Sequence, residues 1–479
     1  MAKTTKNPVR LLGFLLLCLC WLPLQVLGQE KPNIVLIMAD DLGWADVGYN
    51  GAEFYETPNI DKLAKEGMIF NRFYQSAANC APSRASLLSG MYTPRHEVYI
   101  PQGVSRGDVD KMRFKTPTRG EGEDFNTFDV SINQLDPNTE SLAELLKKAG
   151  YVSARLGKWH VGDDNQGFDL NSAEGTPDFI TNKNGEERRY YNDLNVAERL
   201  TDLGLEFIEN HQKQPFFLYL SHWEVHTPMA ALEERLAYFD EKLREFPAKN
   251  FNSTYAAEIE QVDKSVGRVM EKLEALGIRE NTIFIFTSDN GGLSDVTSNA
   301  PLRKGKGTYY EGGIRVPFVV SCPGQIRSAQ ETDVPVIGVD IFPTLAEISG
   351  ASPAPMQPQD GVSILPLLKG EEIEERSIFW HFPLYLTGSE DKCLPVYGSD
   401  EIHWRAVPSS VIMKGDWKLI YYYEYDDFEL FNLAEDVGES KDLGGEQKYV
   451  ANALLAKLRT WVKAVHAPVP LIPNPKFAY

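Results

Sequence analysis

Four times along the chain a mainly apolar run, broken only in 151–156 by Ser153 and Arg155, stops abruptly on polar residues. Residues 34–39 stop on Asp40-Asp41-Leu42-Gly43 and 151–156 on Gly157-Lys158-Trp159-His160. Residues 215–220 stop on Ser221-His222-Trp223-Glu224-Val225-His226, and 282–287 on Ser288-Asp289-Asn290-Gly291-Gly292. A run without alternation belongs to a strand covered on both faces, the habit of parallel sheets. Between the runs the period becomes helical. Leu142, Leu145, Leu146 and Ala149 stop at Gly150, a second such stretch covers 193–211, and Ile259, Val262, Val266, Val269 and Leu273 share one face of a third. Strands alternating with helices predict an α/β fold with a large, mostly parallel sheet sandwiched by helices. Ligands of such sheets sit beyond the carboxyl ends of the strands, so the four polar ends are expected to converge.

Past a Pro-rich stretch at 352–359 the pattern changes. Val411-Ile412-Met413-Lys414, a Gly415-Asp416 turn and residues 417–423 read as a β-hairpin, 429–433 as a further strand and 449–465 as a closing helix. A smaller C-terminal α+β subdomain with an antiparallel sheet is therefore expected over 376–479, after a main domain over 29–375. Residues 1–28 read as a signal peptide: Lys3, Lys6 and Arg10 precede an apolar run that ends near Gly28. That run is short for a membrane span and contains Pro23, so the expectation is an exported protein, periplasmic or secreted, without a stable span after leader removal. Residues 99–138 are polar and aperiodic and read as a long excursion near the site.

Charge narrows the partners. Lys and Arg total 48 against 68 Asp and Glu, a net charge of -20, which excludes nucleic acid held on a diffuse basic surface. An anionic substrate remains open where cations cluster locally. Two of the five cysteines, Cys18 and Cys20, lie in the leader, and Cys80, Cys322 and Cys393 do not make a disulfide scaffold. A Cys322–Cys393 pair is not expected. Asn252-Ser253-Thr254 matches a glycosylation acceptor.

The strand ends carry the chemistry. Asp40, Asp41, Asp289 and Asn290 offer oxygen alone, which suits a hard cation, calcium or magnesium. One such ion together with Arg84, Lys158 and Lys306 outweighs the three carboxylates, so the site accepts an anion. Cys80 opens a predicted helix with Pro82 in its first turn. A helix N-terminus beside a cation favours a thiolate, and a small buried core residue is the other reading.

Cys80-Ala81-Pro82-Ser83-Arg84 with Leu87-Leu88-Ser89-Gly90 resembles the signature of the type I sulfatases, formylglycine-dependent members of the alkaline phosphatase superfamily. Gly157-Lys158-Trp159-His160, His226-Thr227-Pro228, Ser288-Asp289-Asn290-Gly291 and 305–313 stand in the family's order. Residues 221–228 make the likeness greatest to a bacterial branch resembling N-acetylgalactosamine sulfatases and arylsulfatases. The resemblance implies an alkaline phosphatase-like fold and conversion of Cys80 to formylglycine (3-oxoalanine) by a formylglycine-generating or anaerobic sulfatase-maturating enzyme. It implies one calcium ion on Asp40, Asp41, position 80, Asp289 and Asn290. It further implies attack on sulfur by a hydrated aldehyde, oriented by Arg84 and Lys158. His226 and Lys306 would contact the sulfate and protonate the leaving alcohol, and His160 would take a proton from the second hydroxyl. The substrate implied is a sulfate monoester on a galactose- or N-acetylgalactosamine-type oligosaccharide from a sulfated polysaccharide.

Several neighbours carry two readings. Ser83 assists the modification signal or caps the helix; His222, Trp223 and Glu224 line a leaving-group pocket or belong to the core. Arg303, His381, His403, Trp404 and Arg405 are candidates for sugar or carboxylate recognition. Two other functions compete: a phosphomonoester or phosphonate hydrolase of the same fold, and a non-catalytic protein that binds sulfated glycans. A two-zinc phosphatase site would need more histidines than His160 and His226.

Overall fold

A computed structural model describes residues 1–2, 31–101, 109–115, 132, 134–172, 179–181, 187–189, 194–246, 251–388, 394–395 and 402–477. Residues 3–28 of the expected signal peptide, most of the 99–138 excursion and Cys393 lie outside the described residues. Lys31–Tyr479 forms one compact unit, distinct from Met1–Glu30.

The large sheet has eight strands: β1 (Asn33–Ala39), β2 (Met68–Phe70), β3 (Val152–Gly157), β4 (Leu170–Ser172), β5 (Phe216–Ser221), β6 (Thr282–Ser288), β7 (Phe318–Ser321) and β8 (Gln330–Thr332). Their order is β8-β2-β7-β6-β1-β5-β3-β4. Every pairing is parallel except those of β7, which runs against both β6 and β2. In register, Ala39 faces Ser288, Met38 faces Ser221 and Gly157 faces Ser221. The four predicted strands thus end level with one another.

Unbroken apolar runs are needed because both faces are covered. Ile34, Leu36 and Met38 of β1 enter one core with α2 (Cys80–Ser89), α3 (Leu142–Lys148) and α6 (Ile341–Ser349). Val35, Ile37 and Ala39 enter the other, against α1 (Pro58–Glu66), α4 (Val196–His211) and α5 (Ser253–Ala275). Each such side chain contributes about 1.5–3 kcal/mol by leaving water, so Leu36→Ala, which also leaves a cavity, costs about 2–5 kcal/mol. Ser141 and Glu144 form a capping box that starts α3. Asn252, read as a glycosylation acceptor, caps α5: its side chain accepts from Thr254 N and Tyr255 N.

The C-terminal subdomain is a four-stranded antiparallel sheet of β9 (Ser377–Phe382), β10 (Ser409–Lys414), β11 (Trp417–Tyr422) and β12 (Asp427–Asn432), in that order. Ile412, Leu419 and Leu430 pack on Ala451, Leu454 and Leu458 of α7 (Lys448–Ala464). The opposite face, with Trp380, Val411 and Ile420, joins Tyr74, Tyr310 and Ile314 in a core continuous with the main domain. No helix of the described residues is long and apolar enough to cross a membrane.

Candidate active site

The level strand ends put Asp40 and Asp41, Asp289 and Asn290, His226, and Lys158 and His160 along one rim of the sheet. Cys80, the first residue of α2, meets them there. Its Sγ lies 3.5 Å from Asp40 Oδ1 and 3.8 Å from Asp41 Oδ1. Ligand atoms of Asp40, Asp41, Cys80 and His226 all fall within 4.8 Å of one another. Tight turns make this possible. Gly157 has φ +91°, and a Cβ there would stand 2.0 Å from Ser221 O, so only glycine lets β3 turn towards Lys158. Asp41 (φ 64°) and His160 (φ 65°) occupy the left-handed region without being glycine, a strain of order 1 kcal/mol typical of functional turns. A bond from Asp41 N to Asp289 Oδ1, 3.2 Å, fixes the first of them. Gly291 N donates to Gly313 O at 3.0 Å, and a Cβ on Gly291 would stand 1.8 Å from Gly312 O, which presses the Asn290 turn onto the loop that carries Lys306.

Each carboxylate has its own cation. Lys158 Nζ bonds Asp40 Oδ2, Lys306 Nζ lies 2.6 Å from Asp41 Oδ2, and Arg84 places Nε and Nη2 at 2.9 and 2.7 Å from Asp289 Oδ2. Arg84 also donates to Lys158 O (3.1 Å), Tyr219 OH (3.3 Å) and Ser221 Oγ. Burial of unpaired charges costs several kcal/mol each, and this one-to-one pairing is what makes three buried carboxylates tolerable. Burial works against ionisation of Asp41, yet Lys306 and then His226 hold its pKa below the ordinary value. Asp289 is held down likewise, against burial, by Arg84 and Lys158. Burial disfavours the charge on Lys158 and Lys306, but Asp40 and Asp41 respectively lead the interactions that raise both above the usual lysine value.

Position 80 and the imidazoles behave oppositely. Burial, then the charge of Asp289, pushes the Cys80 thiol far above its ordinary pKa. Burial and the carboxylates beside it thus work against a thiolate at position 80, opposite to the effect expected of a helix N-terminus and a cation alone. Burial, with Lys158 and Arg84, keeps His160 neutral far below the usual range, and its Nδ1 is buried without a hydrogen-bond partner. His226 is also lowered, by burial first. Its Nδ1 donates to Thr227 O at 2.5 Å, which turns Nε2 towards Asp41 Oδ2 at 3.7 Å.

The donor set fits one hard cation. Asn290 Nδ2 donates to Asp41 Oδ1 (2.8 Å) and Gly291 O (3.0 Å), and its buried Oδ1 has no hydrogen-bond partner. An orphaned buried acceptor costs about 1–3 kcal/mol unless an electrophile takes it. With the carboxylate oxygens of Asp40 and Asp41 beside it, the chemistry is that of a calcium or magnesium ligand set.

The outer residues are dispersed. Ser83 Oγ donates to Ala77 O at 2.9 Å. His222 is wholly buried with Nε2 2.9 Å from Ser265 Oγ, so the expectation that it touches substrate is corrected: it ties β5 to α5. His381 is corrected too, because Nδ1 pairs with Ser410 Oγ (2.7 Å) and Nε2 with Pro468 O (2.8 Å) inside the C-terminal subdomain. Arg303 directs its guanidinium at Glu439 O (2.7 Å) and over the Tyr310 ring (4.1 Å) instead of at a ligand. Trp404 is buried against Tyr385. Glu224 is buried, and its carbonyl accepts from Asp40 N at 2.9 Å. Trp223 is half-buried, 5.7 Å from Lys158 Nζ. Arg405 is close to the site: a Cβ on Gly307, the neighbour of Lys306, would stand 2.3 Å from its Cδ. His403 lies on strand Ile402–Ala406, and its side chain is outside the described residues. Sequence reasoning missed Tyr219 and Ser221 as anchors of Arg84. The signal was present, since residues two apart on a strand share a face and both stand at the polar end of β5.

Residues 32–351 match the sulfatase family model, and residues 305–466 match that of the N-sulphoglucosamine sulphohydrolase C-terminal region. A sulfatase of Formosa agariphila is 33% identical over 521 residues, covering 92% of this chain and 90% of that protein. N-acetylgalactosamine-6-sulfatase of Mus musculus is 33% identical over 405 residues, 77% of this chain and 72% of its own. The crystal structure of Ps i-CgsB in complex with k-i-k-neocarrahexaose has a TM-score of 0.69 at 28% identity, covering 90% of this chain and 93% of that one. With an anion-accepting rim that carries the expected motifs, the chain belongs to the sulfatase family and is a sulfuric ester hydrolase.

Proposed function

We propose that the protein is exported and removes sulfate from a galactose- or N-acetylgalactosamine-type saccharide, with Cys80 matured to formylglycine and one calcium ion on Asp40, Asp41, position 80, Asp289 and Asn290. The observation that carries this reading is the buried Cys80 Sγ, 3.5 Å from Asp40 Oδ1 and set among carboxylates each paired with a cation, a site suited to an oxyanion. The carbohydrate is supported by the named substrate of the murine relative and the saccharide bound to Ps i-CgsB. Cys80 is 1% exposed, so a formylglycine-generating or anaerobic sulfatase-maturating enzyme would act before the chain folds.

When present, the hydrated formyl group supplies an oxygen nucleophile and calcium supplies a Lewis acid. The chain's own residues do the rest. Lys306, kept protonated by Asp41, receives sulfate oxygens, aided by the N-terminus of α2, while Lys158, kept protonated by Asp40, orients position 80. Arg84, held by Asp289, Tyr219 and Ser221, orients position 80. His160, neutral with Nδ1 unengaged, accepts a proton from the hydroxyl at position 80. Lys306, which keeps its ammonium, supplies the proton to the leaving sugar oxygen with His226 Nε2 beside it, and Arg405, beside Gly307, contacts the sugar beyond the sulfate.

Two measurements test the proposal. Peptide mass spectrometry of protein from its native host should find formylglycine at position 80. A panel of defined sulfated mono- and oligosaccharides should release free sulfate from galactose or N-acetylgalactosamine esters. Cysteine alone at position 80, or release of phosphate but not sulfate from matched esters, would overturn it.

A further inference from the structure

We infer that the C-terminal subdomain positions Lys306 through a clamp of Arg303, Glu311, Lys418 and Glu439, none of which touches the reacting atoms. The inference rests on the reading above, in which Lys306 contacts the sulfate. Lys306 stands on a loop closed at its base by a bond from Gly312 N to Arg303 O, 3.0 Å. At the tip, Lys306 N donates to Gly292 O (3.0 Å) and Gly307 N to Ala78 O (2.8 Å), so the loop touches both the Asn290 turn and the segment that leads into Cys80. With glycine at 305, 307, 312 and 313, such a loop has little stiffness of its own.

The subdomain supplies that stiffness at the base. Lys418 Nζ, on β11, lies 2.9 Å from Glu311 Oε1 and 2.9 Å from Glu439 Oε1, and the Lys418 and Glu311 side chains have no exposed surface. Glu311 N donates to Glu439 Oε2 at 2.7 Å, and Arg303 Nη1 donates to Glu439 O at 2.7 Å. One residue of the subdomain therefore grips both ends of the loop. Packed apolar residues generally stabilise a seam at least as well as a buried ion cluster of similar volume. What the charged cluster adds is direction, since its hydrogen bonds and the Lys418–Glu439 ion pair are met together in one register of loop against sheet. That register fixes how far the Lys306 ammonium reaches into the rim.

A double-mutant cycle separates positioning from mere stability. Arg303→Met removes a side chain that is 31% exposed, and Glu439→Gln keeps the shape of the buried end. With N-acetylgalactosamine 6-sulfate, or the panel saccharide that is turned over, each variant is expected to lower kcat about 10- to 100-fold, the effect of a displacement near 1 Å, with KM changed less than about 2-fold. Placed in a Lys306→Ala background, the same substitutions are expected to lower kcat less than about 2-fold further, because the group they position is already gone. Losses that multiply in full in that background, or folded variants with unchanged kcat, overturn the clamp. So does failure of both variants to fold, which would make the cluster a folding element. A Lys306→Ala enzyme with undiminished kcat overturns the proposed role of Lys306 instead.

Discussion

Lys306 belongs to one cluster of buried charge and Glu311, a few residues on, to another, and the two are built on different rules. At the rim, Asp40, Asp41 and Asp289 each hold a separate cation, Asn290 Oδ1 has no donor and His160 Nδ1 no partner. At the seam, Glu311 and Glu439 share Lys418, while Tyr74 OH donates to Glu311 Oε2 at 2.9 Å and Arg315 stands 3.5 Å from the same oxygen. The ingredients are the same, buried carboxylates and cations. Glu439 Oε1 at the seam also lacks a hydrogen bond, but it faces the Lys418 ammonium at 2.9 Å; the leftover acceptors of the rim, Asn290 Oδ1 and His160 Nδ1, are the ones an incoming ion or proton can use.

Substitutions sharpen or break that contrast. The largest effect is expected at position 80: Cys80→Ser should abolish steady turnover, by roughly 10⁴-fold or more, with the thermal unfolding midpoint preserved. Sustained turnover in that variant would refute an oxygen nucleophile with a second hydroxyl. Next come Asp289→Asn and Lys418→Met, each of which leaves a buried charge without its partner; urea denaturation should show losses of about 3–5 kcal/mol for both. If Lys418→Met/Glu439→Gln fails to recover part of that loss, the seam is not an electrostatic unit. Calcium then distinguishes the clusters. At about 100 times its Kd it should stabilise the protein by about 2.7 kcal/mol, reversed by chelation, an effect lost in Asp41→Asn and retained in Lys418→Met. A shift insensitive to Asp41→Asn would place the ion elsewhere.

The smallest effect is a pH slope belonging to the seam. Burial, opposed by Lys418 and assisted by Glu311, raises Glu439 from the usual 4.5 to about 7. Between those values the folded state holds a proton that the unfolded chain releases, so stability falls as pH rises through that window, by up to about 1.4 kcal/mol per unit. Glu439→Gln should flatten the slope in denaturation series at successive pH values. An unchanged slope would assign it to other groups, among them Asp46, which burial raises to about 6.

The rim was legible in the sequence and the seam was not, for reasons visible in particular residues. Asp40 and Asp289 follow continuous apolar runs and Lys158 a strand-like one broken by Ser153 and Arg155, and parallel pairing in register brings such ends together whatever the loops do. Lys418 lies between Trp417 and Leu419 and reads as the polar position of a hairpin open to water. It is buried only because Glu311, 107 residues away, closes over it. The histidines misled for a related reason: His222 and His381 stand close in sequence to chemistry or on a plausible outer strand, but His222 is wholly buried with Nε2 on Ser265, and His381 satisfies both ring nitrogens inside the protein. Nothing in an Asp-Asp or Trp-His dipeptide announces the left-handed turns at Asp41 and His160. The antiparallel strand β7 was likewise unpredicted, since its apolar run is as continuous as those of its parallel neighbours.

The contact of Gly291 with Gly312 and Gly313 also bears on how such an enzyme can be re-tooled. Where a single methyl group would collide with a carbonyl 1.8 Å away, the two loops admit only hydrogen between them and cannot drift apart in sequence one at a time. Variation that seeks new sugars is thereby steered away from the inner loops and towards Arg405, which stands beside Gly307 on a separate strand. Libraries built for altered specificity are best confined to that outer strand.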